Sequence, residues 1–290
     1  MTLPHPLPRL SAVAGDYDVL LCDVWGVIHN GREAWETPCR ALAAFRARGG
    51  SVVLISNSPR PADGVIGQME GLGVPRQAWD AVVTSGDATR AELARRAASG
   101  PAWIIGPDRD QALYEGTGLV RASRPEEAAF ISVTGPENDE TETPEDYRDR
   151  FVPAAARDLE LICANPDRVV QRGDRLIYCA GALADLYESL GGRVVMAGKP
   201  FGPIYELAVD AAERLRGGPI DRSRILCIGD GVVTDVMGAN RQGLDCLFIA
   251  QGIHGDQARG PDGALDPAHA ADLLKAETTY ARYAALELAW

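Results

Sequence analysis

The chain has no cysteine pair at the spacing of a metal clip and no Cys/His cluster. Its six cysteines, Cys22, Cys39, Cys163, Cys179, Cys227 and Cys246, are scattered, which excludes a zinc finger or a CxxC redox motif. Several lie inside apolar runs (LLCDV, ICAN, ILCIG), where a thiol behaves as a small hydrophobe. Long hydrophobic runs are also missing, since no stretch approaches the roughly 18 apolar residues of a membrane span. The opening MTLPHPLPRL carries neither the basic n-region nor the apolar h-region of a secretory signal, so a cytoplasmic chain is expected. Basic charge is scarce: 29 Lys and Arg stand against 41 Asp and Glu, a formal net charge of −12. That balance argues against a nucleic-acid partner, whose phosphates are bound by basic surfaces. No G-x-G-x-x-G opens a helix after the first strand, which makes a dinucleotide site a poor reading.

What is present is an ordinary globular composition, 46% apolar and 24% charged over 290 residues, enough for one large α/β domain or two of average size. The stretch YDVLLCDVWGVIHNG organises the rest. Val19 to Cys22 form a continuous apolar run, the signature of a parallel strand buried on both faces, and Asp23 falls at its carboxyl end. A helix with Ala41, Leu42, Ala44 and Phe45 on its apolar face follows, stopped by Gly49-Gly50, and then a second buried strand, Val52 to Ile55. Strand, helix and strand with short joints make a right-handed βαβ unit. The alternation continues through a helix near 61–72, an apolar segment Ala81 to Val83 and a helix from Asp87 to Ala98.

From about residue 101 to 193 the chain has its own rhythm. Strands are expected at Ala102 to Ile105, near Ala129 to Val133 and at Leu159 to Ala164, with an acidic excursion, GPENDETETPEDYRD, read as solvated. This suffices for a second α/β domain, with 1–100 and 194–290 as the two parts of the first. After Val194 the first rhythm returns with VVMAGKP as a strand. An amphipathic helix follows with Ile204, Leu207, Ala208, Ala211 and Leu215 at helical spacing. Strands at Ile225 to Ile228 and Leu247 to Ile249 come next, and the tail from Asp266 to Trp290 is read as mostly helix. The fold class is α/β, a doubly wound parallel sheet carrying an inserted α/β domain.

Four strand ends carry polar residues: Asp23, Ser56-Asn57, Lys199 and Asp230, with Asp235 just beyond. In a parallel sheet these ends share one edge, so residues remote in sequence converge on one crevice. An Asp at a strand end can instead cap the following turn; the ordered set, unlike any single member, suits phosphoryl transfer. Carboxylates hold Mg²⁺, a hydroxyl and backbone amides take phosphate oxygens, a lysine neutralises developing charge, and one carboxylate can attack phosphorus.

DVWGVIHNG, LISNSPR, AGKP and GDGVVTDVMGAN, in this order and with an α/β insertion between the second and third, resemble the four motifs of the haloacid dehalogenase superfamily, in its class IIA branch of sugar-phosphate, nucleotide and p-nitrophenyl phosphatases. TSGDAT and NPD are supporting similarities. The resemblance implies a Mg²⁺-dependent phosphatase acting on a small phosphate monoester, with the insertion as a substrate-selecting cap. It implies Asp23 as nucleophile and metal ligand, the Trp25 backbone carbonyl as a further ligand, and Ser56 and Asn57 as phosphate-binding. Lys199 would hold the phosphate and orient Asp23, while Asp230 and Asp235 would complete the metal set. Asn165 and Asp167 either form a turn that stops a strand or belong to a cap loop approaching the site.

One position departs from the family. A second Asp, the general acid and base, usually stands where this chain has Trp25, and indole is neither. His29 in the same loop is a candidate substitute, although a lone histidine is more often structural. The alternative to a phosphatase is a weakened phospholigand-binding protein or a phosphotransferase. The expected partner is a small phosphorylated metabolite, with no nucleic acid and no membrane, and a homodimer is the assembly to test.

Overall fold

In the computed structural model, residues 3–172, 175–251 and 257–290 are described. In chain order the elements are β1 (His5–Pro6), β2 (Val19–Asp23), α1 (Glu36–Ala47), β3 (Ser51–Ser56), α2 (Ala62–Gly71), β4 (Ala81–Thr84) and α3 (Ser85–Arg96). There follow β5 (Ala102–Ile105), β6 (Phe130–Val133), α4 (Arg148–Ala156), β7 (Glu160–Cys163), β8 (Val169–Arg172), β9 (Arg175–Tyr178), α5 (Ala180–Ser189) and β10 (Arg193–Met196). The last are α6 (Gly202–Arg216), β11 (Ile225–Gly229), α7 (Met237–Gln242), β12 (Asp245–Ile249), α8 (Pro267–Ala276) and β13 (Tyr283–Ala285). No helix among the described residues is long and apolar enough to cross a membrane.

By contact the chain forms two compact units, Met1–Ser56 with Gly64–Val83 and Lys199–Trp290, and Asn57–Asp63 with Thr84–Gly198. The first holds a seven-stranded sheet in the order β1-β13-β12-β11-β2-β3-β4. Every residue of β2, β3 and β11 is buried, as continuous apolar runs require of central parallel strands covered on both faces. Strand succession runs outward from β2 through β3 in one direction and from β11 through β12 in the other, so the order reverses between β2 and β11. The register pairs Cys22 with Ile228 and Asp23 with Ile55. Asp23 therefore sits at the switch point, where open α/β sheets bind ligands.

The second unit holds a four-stranded parallel sheet, β10-β7-β6-β5, and the antiparallel pair β8-β9. Phe151 anchors its core, edge-on to Trp103 and Tyr187.

Several sequence expectations are corrected. The strand of VVMAGKP, read as part of the first domain, pairs with β7 in the smaller sheet, and α3 falls in the second unit. Residues 266–290 are only half helical: after α8 the chain turns extended and β13 adds parallel to both β12 and β1. Leu215 on α6 is exposed, because the buried face of that helix runs through Ile204, Tyr205, Ala208, Val209, Ala211 and Ala212 and ends before the last turn. Within the acidic loop, Asp139 is buried and paired with Arg109 rather than solvated.

Phe45, near the end of α1, packs against the turn that follows its own helix. Its ring lies where a Cβ on Gly50 would come within 2.1 Å of Cε1, so glycine at the end of the α1 turn is a packing requirement. Phe45→Ala is expected to lower stability by about 3–5 kcal/mol through lost burial and the cavity left behind. The measurement is a shift in the urea midpoint with little change in slope.

Candidate active site

Asp23, Asp230 and Asp235 are buried, and each offers a carboxylate oxygen within 4.8 Å of the others. Asp23 ends β2. Asp230 follows β11, and Asp235 lies in a single π-turn, Val232–Val236, that leads into α7. Such i→i+5 turns are rare and concentrate at functional positions. Here Val236 N–H donates to Gly231 O at 3.1 Å, the widened step of the turn. Asp235 Oδ2 in turn accepts from Gly231 N–H at 3.1 Å.

Glycines make the convergence possible. A Cβ on Gly26 would lie 2.2 Å from Asp230 Oδ2, and one on Gly229 would lie 2.2 Å from Asp235 Cγ. Gly26 also has φ +81°, a conformation that other residues rarely adopt. Backbone thus touches carboxylate on both sides of the switch point.

Lys199 Nζ donates to Asp23 Oδ1 at 2.6 Å and to Asp235 Oδ1 at 2.7 Å. It arrives on the link between β10 and α6, not at the end of a strand of the seven-stranded sheet. Burial raises the Asp23 pKa far above the usual carboxylate range, and the neighbouring Asp235 adds to this while Lys199 opposes it. For Lys199, burial alone would favour the neutral amine, but the charges of Asp23 and Asp235 outweigh it and hold the ammonium form.

Ser56 is the buried last residue of β3, and Asn57 follows it, also buried. Asn57 Nδ2 donates to Asp167 Oδ1 at 3.0 Å, within the second unit. Asn165 Oδ1 accepts from Asp167 N–H at 3.0 Å, an Asx turn that halts the chain after β7. The NPD segment therefore forms a turn whose carboxylate, Asp167, accepts from Asn57.

Trp25 and His29 occupy a tight loop after β2. His29 is buried, burial lowers its pKa, and its Nδ1 accepts from Gly31 N–H at 3.0 Å. A neutral imidazole with that nitrogen occupied braces the loop; it is not an exposed proton donor. Sequence reasoning singled out the acids and the lysine but not Tyr205, whose buried hydroxyl donates to Asp235 O at 3.4 Å, nor the glycines that admit the carboxylates. Tyr205 carried the signal of a buried tyrosine needing a partner.

Sheet and site together define an α/β protein with a buried acidic cluster at its switch point. Family models for haloacid dehalogenase-like hydrolases match residues 20–120 and, as HAD-hydrolase-like, 196–276. A hydrolase of the haloacid dehalogenase-like family from Brucella suis 1330 is 46% identical, with 97% of this chain and 99% of that chain covered and a TM-score of 0.84. The 5'-nucleotidase YutF of Bacillus subtilis is 27% identical over 89% of this chain and 96% of its own length. The glycerol phosphate phosphatase Rv1692 of Mycobacterium tuberculosis, solved with calcium, is 25% identical over 83% of this chain and 68% of that chain, with a TM-score of 0.64. The chain belongs to the haloacid dehalogenase-like hydrolases.

Lys199 is the cation that bridges two of the three buried carboxylates, Asp23 and Asp235. Lys199→Met removes the cation from two of them, and breaking a buried ion pair typically costs about 3–5 kcal/mol. Thermal unfolding should show the variant destabilised to that extent, with a larger rise in midpoint on adding millimolar Mg²⁺ than the wild type shows.

Proposed function

We propose that this hydrolase cleaves small phosphate monoesters, of the sugar-phosphate or nucleotide class, in a Mg²⁺-dependent reaction through an aspartyl-phosphate on Asp23. The observation that carries the reading is the buried triad of Asp23, Asp230 and Asp235 with Lys199 spanning two of its members. The donor set fits Mg²⁺: hard carboxylate oxygens, too few to complete an octahedron alone, leave positions for water and a substrate oxygen. Asp23, Asp230, Asp235 and the Trp25 carbonyl would hold the ion. When bound, it neutralises charge on the phosphoryl oxygens and on the carboxylates.

The protein's own groups then divide the work. A carboxylate oxygen of Asp23 attacks phosphorus, the bond from phosphorus to the ester oxygen breaks with its electron pair going to that oxygen, and the leaving group departs as an alkoxide or phenolate that takes its proton from water. Water attacks the aspartyl-phosphate, releasing inorganic phosphate and restoring the carboxylate. Lys199, hydrogen-bonded to Asp23 Oδ1, fixes the orientation of the nucleophile and places positive charge beside the transferred group. Ser56 and backbone amides at Asn57 receive phosphate oxygens. The segment 101–193 acts as a cap that selects the alcohol portion, with Asn165 and Asp167 as its contribution near Asn57.

Phosphatase relatives favour turnover over a purely binding role, which would have no need of a nucleophile held against a lysine. Phosphate release from p-nitrophenyl phosphate should depend on Mg²⁺, disappear with EDTA and return on adding the ion. Asp23→Asn should reduce it by about a thousandfold or more; release at the wild-type rate from a clean preparation would reject Asp23 as the nucleophile.

A further inference from the structure

We propose that Trp25 is a stacking platform for a planar aromatic group on the substrate, so that phosphate esters bearing a nucleobase or an aryl ring are selected over aliphatic ones. The proposal rests on the phosphatase reading above and names the substrate class of that site. Its first ground is position. Trp25 is two residues from Asp23, which limits their Cα separation to about 7.6 Å, and the next residue, Gly26, abuts the Asp230 carboxylate. An ester with its phosphorus within about 3–3.5 Å of an Asp23 oxygen carries its organic portion to within a side chain's length of this loop.

The second ground is exposure. Val24, Val27, Ile28 and His29 are all buried at 2% or less, yet Trp25 is 44% exposed. The loop had every opportunity to turn this large apolar ring inward and did not. A half-exposed tryptophan in the loop that follows the nucleophile presents apolar surface that gains by being covered.

The third ground is rigidity. His29 meets the indole edge-on, with centroids 5.4 Å apart and planes at 78°. The six-membered ring rests on Gly31 so closely that a Cβ there would lie 2.1 Å from Cη2. Gly31 has φ +81° as well, so both conformation and contact hold that position to glycine. A ring fixed by its neighbours loses little entropy when a ligand covers it, which is the condition for effective stacking. Indole offers a broad π-face and one N–H donor, with no acid or acceptor, so what it can recognise is a flat ring. Stacking of a base on an aromatic side chain corresponds to about 5- to 150-fold in affinity.

The test compares kcat/KM for adenosine 5'-monophosphate against ribose 5-phosphate, and for naphthyl phosphate against glycerol 3-phosphate, in wild type, Trp25→Phe and Trp25→Leu. Trp25→Leu should lower the aromatic-to-aliphatic ratio by about tenfold or more, mainly through KM, while Trp25→Phe keeps it within a few-fold. Loss confined to the nucleotide pair assigns a nucleobase to the platform, and loss confined to the naphthyl pair assigns an aryl ester. Ratios equal in all three proteins overturn the proposal. A second arm uses Asp23→Asn, which binds without turnover, and titrates adenosine 5'-monophosphate and naphthyl phosphate while tryptophan fluorescence is followed. Quenching that survives Trp25→Leu in that background also overturns stacking. If the wild type releases phosphate from no ester, the phosphatase reading falls while this binding arm still decides the role of Trp25.

Discussion

The site depends on forcing three carboxylates together in a place with little water. Like charges at such separations repel strongly in a low-dielectric interior, and the pKa of Asp23 is raised first by its burial and then by the Asp235 charge beside it. Lys199 relieves part of it by bridging Asp23 and Asp235. On the reading proposed above, a divalent cation would relieve the rest, so the electrostatic cost of gathering these acids would be what draws the metal. Nothing near the acids can be bulky. Gly26 and Gly229 bring bare backbone against the side chains of Asp230 and Asp235, and the π-turn reorients the chain so that Asp235 returns to the acidic cluster one turn beyond Asp230.

Much of this was legible in the sequence wherever a burial pattern ended on a polar residue. VLLC before Asp23 and ILCIG before Asp230 are runs that suit a central strand, and the structure buries every residue of both strands. The inference for Lys199 reached the right residue along a wrong path. A strand followed by a polar residue looks the same whichever sheet it joins, and β10 joins the smaller one. Pairing partners are set by tertiary contact, which a local pattern does not contain. The same limit hid β13 and the pair β8-β9: three or four residues give too short an alternation to compete with the helical composition around Tyr283 or with a turn reading around Asn165. Leu215 erred in the opposite sense, since helical spacing says which residues share a face but not where the covering surface ends.

The loop after β2 was the least legible part because its meaning lies in contacts between side chains only a few residues apart. His29 could be imagined as an acid from its type alone. Its burial and the Gly31 N–H on Nδ1 remove it from that role and make it the support on which Trp25 stands. Gly31, unremarkable as a letter in HNG, is required both by its backbone conformation and by the indole lying on it.

That arrangement also bears on which esters the site can cleave fast. An indole beside the nucleophile donates no proton to a departing oxygen, so the acidity of the alcohol itself governs how readily the ester bond breaks. A phenol, with a pKa near 10, leaves as its anion far more easily than a sugar hydroxyl. An aryl ester therefore gains twice from the same side chain, by stacking on its face and by not needing the acid it lacks. A nucleotide gains only the first, because its leaving group is a ribose hydroxyl whatever the base is doing. Stacking appears in KM and leaving-group acidity in kcat, so the two consequences of Trp25 separate along the two halves of the rate law.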